Sequence, residues 1–160
     1  TTADTILENK NWTIVVINYI DEHSGSYFCR GSQDEWNGTE IIDGTTISYI
    51  KNDWSKNVVR QLTTLSPYEF DMSGMGNINS SINPTDHLLI KLVDGEVVLK
   101  PLSSTTNDII DLGSTYDAQE KMFTLKYIYT KGATSYQVNE ELKLRQDVEK
   151  ELRYTEWVSN

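Results

Sequence analysis

Cysteine, proline and basic residues are what this chain has least of, and each scarcity excludes something. Cys29 is the single cysteine of the 160 residues, so neither an internal disulfide framework nor a cysteine zinc site can form. Lys and Arg number 14 against 24 Asp and Glu, a formal charge of -10. That balance repels a phosphate backbone or an anionic lipid surface and gives nucleic acid no general attraction. No apolar run approaches the roughly 18 residues of a transmembrane span. The best one, WTIVVINYI at 12–20, has the length of a strand. The two histidines, His23 and His87, belong to neither HExxH nor a close ligand pair, which leaves a metal centre or a histidine-based triad unsupported. DGEVV, DEHSG and DEWNG are acidic turns without the ligand series of a calcium loop. The residues point to no catalytic set, no metal and no cofactor.

Short alternating runs fill the rest. A chain of this length is large enough for one continuous core, and 38% hydrophobic with 10% aromatic residues suits a folded domain. Residues 1–11 read as a polar lead or linker, and 12–158 as one β domain. WTIVVINYI is followed by the turn DEHSG and by SYFCR at 26–30, in which Cys29 reads as a buried, inert thiol. A polar connection, GSQDEWNGTEIIDG at 31–44, leads to TTISYI at 45–50, the turn KNDWSKN, and VVRQLTTL at 58–65. Pro67 interrupts the donor ladder before YEFDM at 68–72. HLLIKLVDGEVVLKPL at 87–102 is a hairpin turned by Asp94-Gly95. NDIIDLGSTYDAQEK at 107–121 is a short apolar piece in polar surroundings. MFTLKYIYT puts Phe123, Leu125, Tyr127 and Tyr129 on one face, and beyond Gly132 the next run answers with Tyr136, Val138, Glu140, Leu142 and Leu144. The strand ends near Arg145, before a turn or short helix and a last short strand at RYTEWV.

Eight to ten short strands with hairpin-sized links predict an all-β fold. The expected architecture is an up-and-down antiparallel barrel, because closure removes the adhesive edges of a sheet; a β-sandwich is the alternative. MSGMGN at 72–77 lacks the spacing, the lysine and the helix start of a phosphate loop. It reads as a corner in which Gly74 and Gly76 take positive φ and Met72 and Met75 fill core space. His23 reads as a solvated turn residue and His87 as leading into a strand. Trp36 in QDEWNG and Trp54 in NDWSK lie in polar turns, where a ring can stack on a sugar face while Asp34, Asn37 and Asp53 bond its hydroxyls. Sequons at Asn11, Asn37 and Asn79 carry meaning only in a cell that glycosylates.

VVRQLTTLSPYEFDMSGMGN, LLIKLVDGEVVLKPL, and KMFTLKYIYT with YQVNEELKLR come in an order that resembles the C-terminal domain of secreted or surface lipoproteins of gut Bacteroidales, often preceded by an immunoglobulin-like domain of unknown function. The resemblance implies a calycin-like or lipocalin-like barrel, an extracytoplasmic and outer-membrane-associated or secreted location, and association with polysaccharide uptake. It supplies no catalytic residues. The expected function is therefore a non-enzymatic binding or accessory domain for a glycan or a surface protein partner. A purely structural module, a barrel holding a small apolar ligand, and a glycoside hydrolase with two convergent carboxylates are the alternatives.

Overall fold

Alternation of inward, mostly apolar residues with outward, mostly polar ones gives the long strands one face to bury, and a single sheet buries these faces by curling on itself. The computed structural model describes residues 20–78, 86–102 and 108–147. Among them are strands β1 (Gly25–Trp36), β2 (Ile47–Ser48), β3 (Val58–Ser66), β4 (Glu69–Met72) and β5 (Leu88–Val93). The second half adds β6 (Glu96–Pro101), β7 (Ile109–Asp111), β8 (Thr115–Asp117), β9 (Met122–Lys131) and β10 (Thr134–Asp147). The hydrogen-bonded order is β10-β1-β3-β4-β5-β6-β8-β9, and β9 pairs back onto β10. The result is a closed eight-stranded antiparallel barrel of calycin-like form. β2 attaches to β1, and β7 attaches to β9. The sandwich alternative is thereby set aside: one sheet is closed, where a sandwich needs two.

Local chemistry sets the hairpins. Asp94 and Gly95 both have positive φ in the β5–β6 turn, as a two-residue turn matched to strand twist requires. Ser66-Pro67-Tyr68-Glu69 turns β3 into β4 with Pro67 fixing the first corner and Tyr68 at φ 66 the second. The β9–β10 hairpin is the longest, paired from Lys131↔Thr134 to Met122↔Lys143. β1 then pairs with β10 along its whole length, with a bulge beside Ser26 and Tyr27.

The core is one cluster that includes Tyr27, Leu62, Phe70, Ile90, Phe123 and Leu142. Burying such side chains stabilises by about 1.5–3 kcal/mol each, and it fixes strand register, because a one-residue slip would turn the apolar set outward. Met72 and Met75 are fully buried, and Gly74 and Gly76 have φ 79 and 51, as a corner demands.

Several expectations need correction. The polar stretch after Arg30 is not a connection, since β1 continues through Trp36, which pairs with Ser135. Its composition resembles a loop, yet β10 supplies a full ladder of partners. The expected strand at 45–50 shrinks to Ile47–Ser48. His23 is not a solvated turn residue; its side chain is 15% exposed. The apolar piece at 107–121 provides two short strands, both on the edge of β9. The strand reading of 12–20 except Ile20, the sequons at Asn11 and Asn79, and the reading of 148–158 lie outside the described residues. Among the described residues no helix is long and apolar enough to cross a membrane.

Candidate functional site

Polar groups gather in two places, one inside the barrel and one on its outer wall. Inside, Arg60 of β3 is in phase with Leu62, and Glu140 of β10 is in phase with Val138 and Leu142. Alternation therefore forces both charges inward. Their side chains are 2% and 0% exposed, with Arg60 Nη2 4.0 Å from Glu140 Oε2. Glu140 Oε1 accepts from Tyr127 OH at 2.7 Å, while Oε2 accepts from Tyr49 OH at 3.0 Å and Cys29 Sγ at 3.3 Å. The guanidinium turns its other face to the MSGMGN corner, where Nη1 donates to the carbonyls of Ser73 and Ile78 and Nη2 to that of Gly76. Tyr127 OH accepts from Gly76 N, and Gln33 Oε1 accepts from Asn77 N and Tyr129 OH. The corner is thus fastened across one end of the barrel by side chains from β1, β3 and β9.

Burial decides the protonation chemistry here. It works against the Arg60 charge, but the neighbouring Glu140 carboxylate outweighs it and holds the guanidinium above its ordinary range. Burial first, and Glu140 second, push the Cys29 thiol and the Tyr49 and Tyr127 phenols up. A thiol held protonated is a poor nucleophile. Cys29 should therefore fail to react with a disulfide reagent in the native protein and react fully in denaturant, a thiol titration that fast native reaction would contradict.

His23 belongs to the opposite end, where β3 finishes and β4 begins. Its Nδ1 lies 2.6 Å from Asp21 Oδ1 and its ring sits edge-on to Tyr116, with Phe70 and Phe123 alongside. His87 leads into β5 as expected, with Nδ1 2.7 Å from Asp71 Oδ1. Among the described residues no three His, Cys, Asp or Glu side chains assemble as a metal set.

On the outer wall, Arg30 projects from β1 and places Cζ 3.9 Å from the centroid of the Trp54 ring. Two of its N–H groups meet Glu141 Oε2, Nε at 2.8 Å and Nη2 at 2.7 Å. This stack of indole, guanidinium and carboxylate borders a groove of about 440 Å³ that crosses β9, β10 and β1. Ser32, Ile50, Thr124, Lys126 and Asn139 line it.

The residues expected to meet a ligand divide into two groups. Trp36 closes β1 beside Asp34 and Asn37, whereas Trp54 and Asp53 lie by the 3-10 turn Trp54–Lys56 over Arg30. Trp36 and Arg30 are six residues apart on one strand, about 20 Å, so the two rings do not clamp one sugar. Their polar neighbours are engaged locally. Asp34 accepts from Thr46 Oγ1, Asn37 Oδ1 from Thr39 N and Glu40 N, and Asp53 Oδ1 from Ser55 N and Oγ. What sequence reasoning missed is Arg30, Glu141 and Lys126 outside and Arg60 inside. The available signal was phase: Arg60 falls on the apolar face of its strand, and Arg30 on the outward face of SYFCR.

The class these elements define is a closed eight-stranded antiparallel barrel with a tied-down corner at one end. No family model and no curated protein matches the chain. A solved structure from Bacteroides ovatus, described as of unknown function, is similar at TM-score 0.55 and 14% identity, over 79% of this chain and 43% of that one. The chain spans less than half the length of that protein. At such identity the likeness concerns the fold alone.

Proposed function

We propose that this barrel is a non-enzymatic extracytoplasmic binding or accessory domain that engages a glycan through its outer wall. The observation that carries the reading is the Trp54–Arg30–Glu141 stack beside a groove of about 440 Å³, within the size range of small-ligand clefts. An aromatic platform next to amide, hydroxyl and charged side chains offers stacking to a sugar face and hydrogen bonds to its hydroxyls. Two further observations support it. Phe123, Leu125, Tyr127 and Tyr129 join one continuous core cluster, which favours an outside ligand over an apolar one held within. Both oxygens of the buried Glu140 already accept hydrogen bonds, so it is engaged in holding the barrel together rather than poised for glycosidic proton transfer. The resemblance to gut Bacteroidales surface lipoproteins supports export and a place beside polysaccharide uptake.

Calorimetry against a glycan panel tests the reading with Trp36→Ala, Trp54→Ala and the double variant. Trp54→Ala should weaken binding by about two- to tenfold, the scale of one lost stacking contact. Trp36→Ala should weaken it less, because its ring lies away from the groove. Unchanged binding in the double variant, or no binding across the panel, would count against the proposal.

A further inference from the structure

The outer wall that carries the groove differs in charge from the rest of the molecule. Arg30 of β1, Lys126 of β9, and Lys143 and Arg145 of β10 all project outward on three adjacent strands. Against them stand Glu141, paired with Arg30, Glu120, paired with Lys143, and Asp34, which shares the outward phase of Arg30 on β1 and accepts from Thr46 Oγ1. The face is net positive on a chain whose formal charge is -10. Among the described residues, Lys126 has no ion-pair partner.

The arrangement follows from register. Lys126 pairs with Asn139, Arg30 with Glu141 and Lys143 with Phe28, while Arg145 is the extra residue of the β10 bulge and sits 5.5 Å from the Phe28 ring. A bulge re-aims a side chain, here a guanidinium over an aromatic face. From the Lys126 level to the Arg145 level is six residues of β10, about 20 Å. Cations thus recur along a row whose groove end carries Ser32, Thr124 and Asn139 and the Trp54 stack.

Resting on the glycan reading above, we propose that this face takes an acidic saccharide, a uronate-bearing chain. The unpaired Lys126 ammonium would meet a ring carboxylate, Trp54 and Arg30 would present the stacking surface, and Ser32, Thr124 and Asn139 would meet hydroxyls. Charge-assisted hydrogen bonds to carboxylate are about twice as strong as neutral ones, and a local cationic row in an acidic protein selects an anionic ligand by steering as well as by contact. The hydroxyl and amide lining favours a sugar over an acidic peptide.

Calorimetry on the full chain, at low and high salt, would use oligogalacturonate and oligomannuronate, a neutral galacto-oligosaccharide of matched length, and poly-glutamate. At least one uronate should bind more tightly than the neutral oligomer and weaken with salt. Lys126→Gln, an exposed change at a side chain without an ion-pair partner, should reduce uronate affinity about tenfold, the loss of one charge-assisted bond, and flatten the salt dependence. Neutral binding equal to or tighter than uronate binding would overturn the acidic preference and leave the glycan reading standing. Tighter binding of poly-glutamate would overturn it in favour of a peptide partner. Absence of binding by every sugar would end both readings, and uronate binding indifferent to Lys126→Gln would end the assigned site.

Discussion

Arg60→Met is expected to destabilise the barrel by about 3–5 kcal/mol, the cost of breaking a buried ion pair from one side. The substitution leaves Glu140, whose side chain is 0% exposed, without its compensating charge, and it removes the donors to the carbonyls of Ser73, Gly76 and Ile78. An unpaired buried group costs more than the hydrogen bond it formerly made. Against a typical domain stability of about 5–15 kcal/mol, the loss should appear as a large drop in the urea midpoint with little change in slope. The companion variant Arg60→Met with Glu140→Gln removes the orphaned charge as well, and should be less destabilised than the two single changes summed. Strict additivity in that cycle would mean that the pair, 4.0 Å apart at its closest, is not a coupled unit. Amide exchange gives a local reading of the same tie. The N–H of Gly76, bound to Tyr127 OH, and that of Asn77, bound to Gln33 Oε1, should lose protection in Arg60→Met before the β9–β10 ladder does.

What was legible in the residues divides along the distance over which the physics acts. The hairpins at 88–101 and 122–145, the Asp94-Gly95 turn and the glycine corner depend on neighbours a few positions away, and alternation with turn chemistry exposes them directly. β1 is different. GSQDEW is polar and carries a glycine, so in isolation it resembles a connection, yet β10 pairs with every residue of it. Gly31 is there because a Cβ would overlap the Asn139 carbonyl and Glu140, and Gln33 faces inward because Asn77 and Tyr129 need an acceptor. Neither reason exists without β10 and the corner in place. His23 was misread on the same ground, because its turn is polar in sequence and only the closed barrel brings Tyr116 and Phe123 to its ring. Trp54 lies in a turn, as its polar neighbours indicate, but its pairing with Arg30 depends on a loop folding back over β1. Charged residues in phase with apolar ones, Arg60 and Glu140, were the one long-range feature visible as a pattern. Their partnership across the barrel required the topology.

Gly74→Ala is expected to be nearly as damaging as the loss of Arg60, and for a related reason. At φ 79 an alanine pays the steric cost of a left-handed backbone, about 1–2 kcal/mol. The new methyl would also overlap Arg60 Nη1 and the carbonyl of Ile78. That overlap cannot be relieved by swinging a free side-chain end aside, because Nη1 is held by two carbonyls of the same corner. Overpacking of this kind costs about 1–3 kcal/mol, which brings the expected total to roughly 2–5 kcal/mol. Gly95→Ala separates the two contributions. Its φ of 84 imposes a similar backbone cost, but an added Cβ there meets nothing within 4 Å, so its loss should stay near the backbone cost alone, about 1–2 kcal/mol. Combining Gly74→Ala with Arg60→Met should cost less than the sum of the separate changes, since the methyl then occupies space the guanidinium has vacated. If urea unfolding instead gives Gly74→Ala and Gly95→Ala equal losses, the double-glycine corner is merely a bend, and the clasp of its carbonyls around Arg60 contributes nothing to closing that end of the barrel.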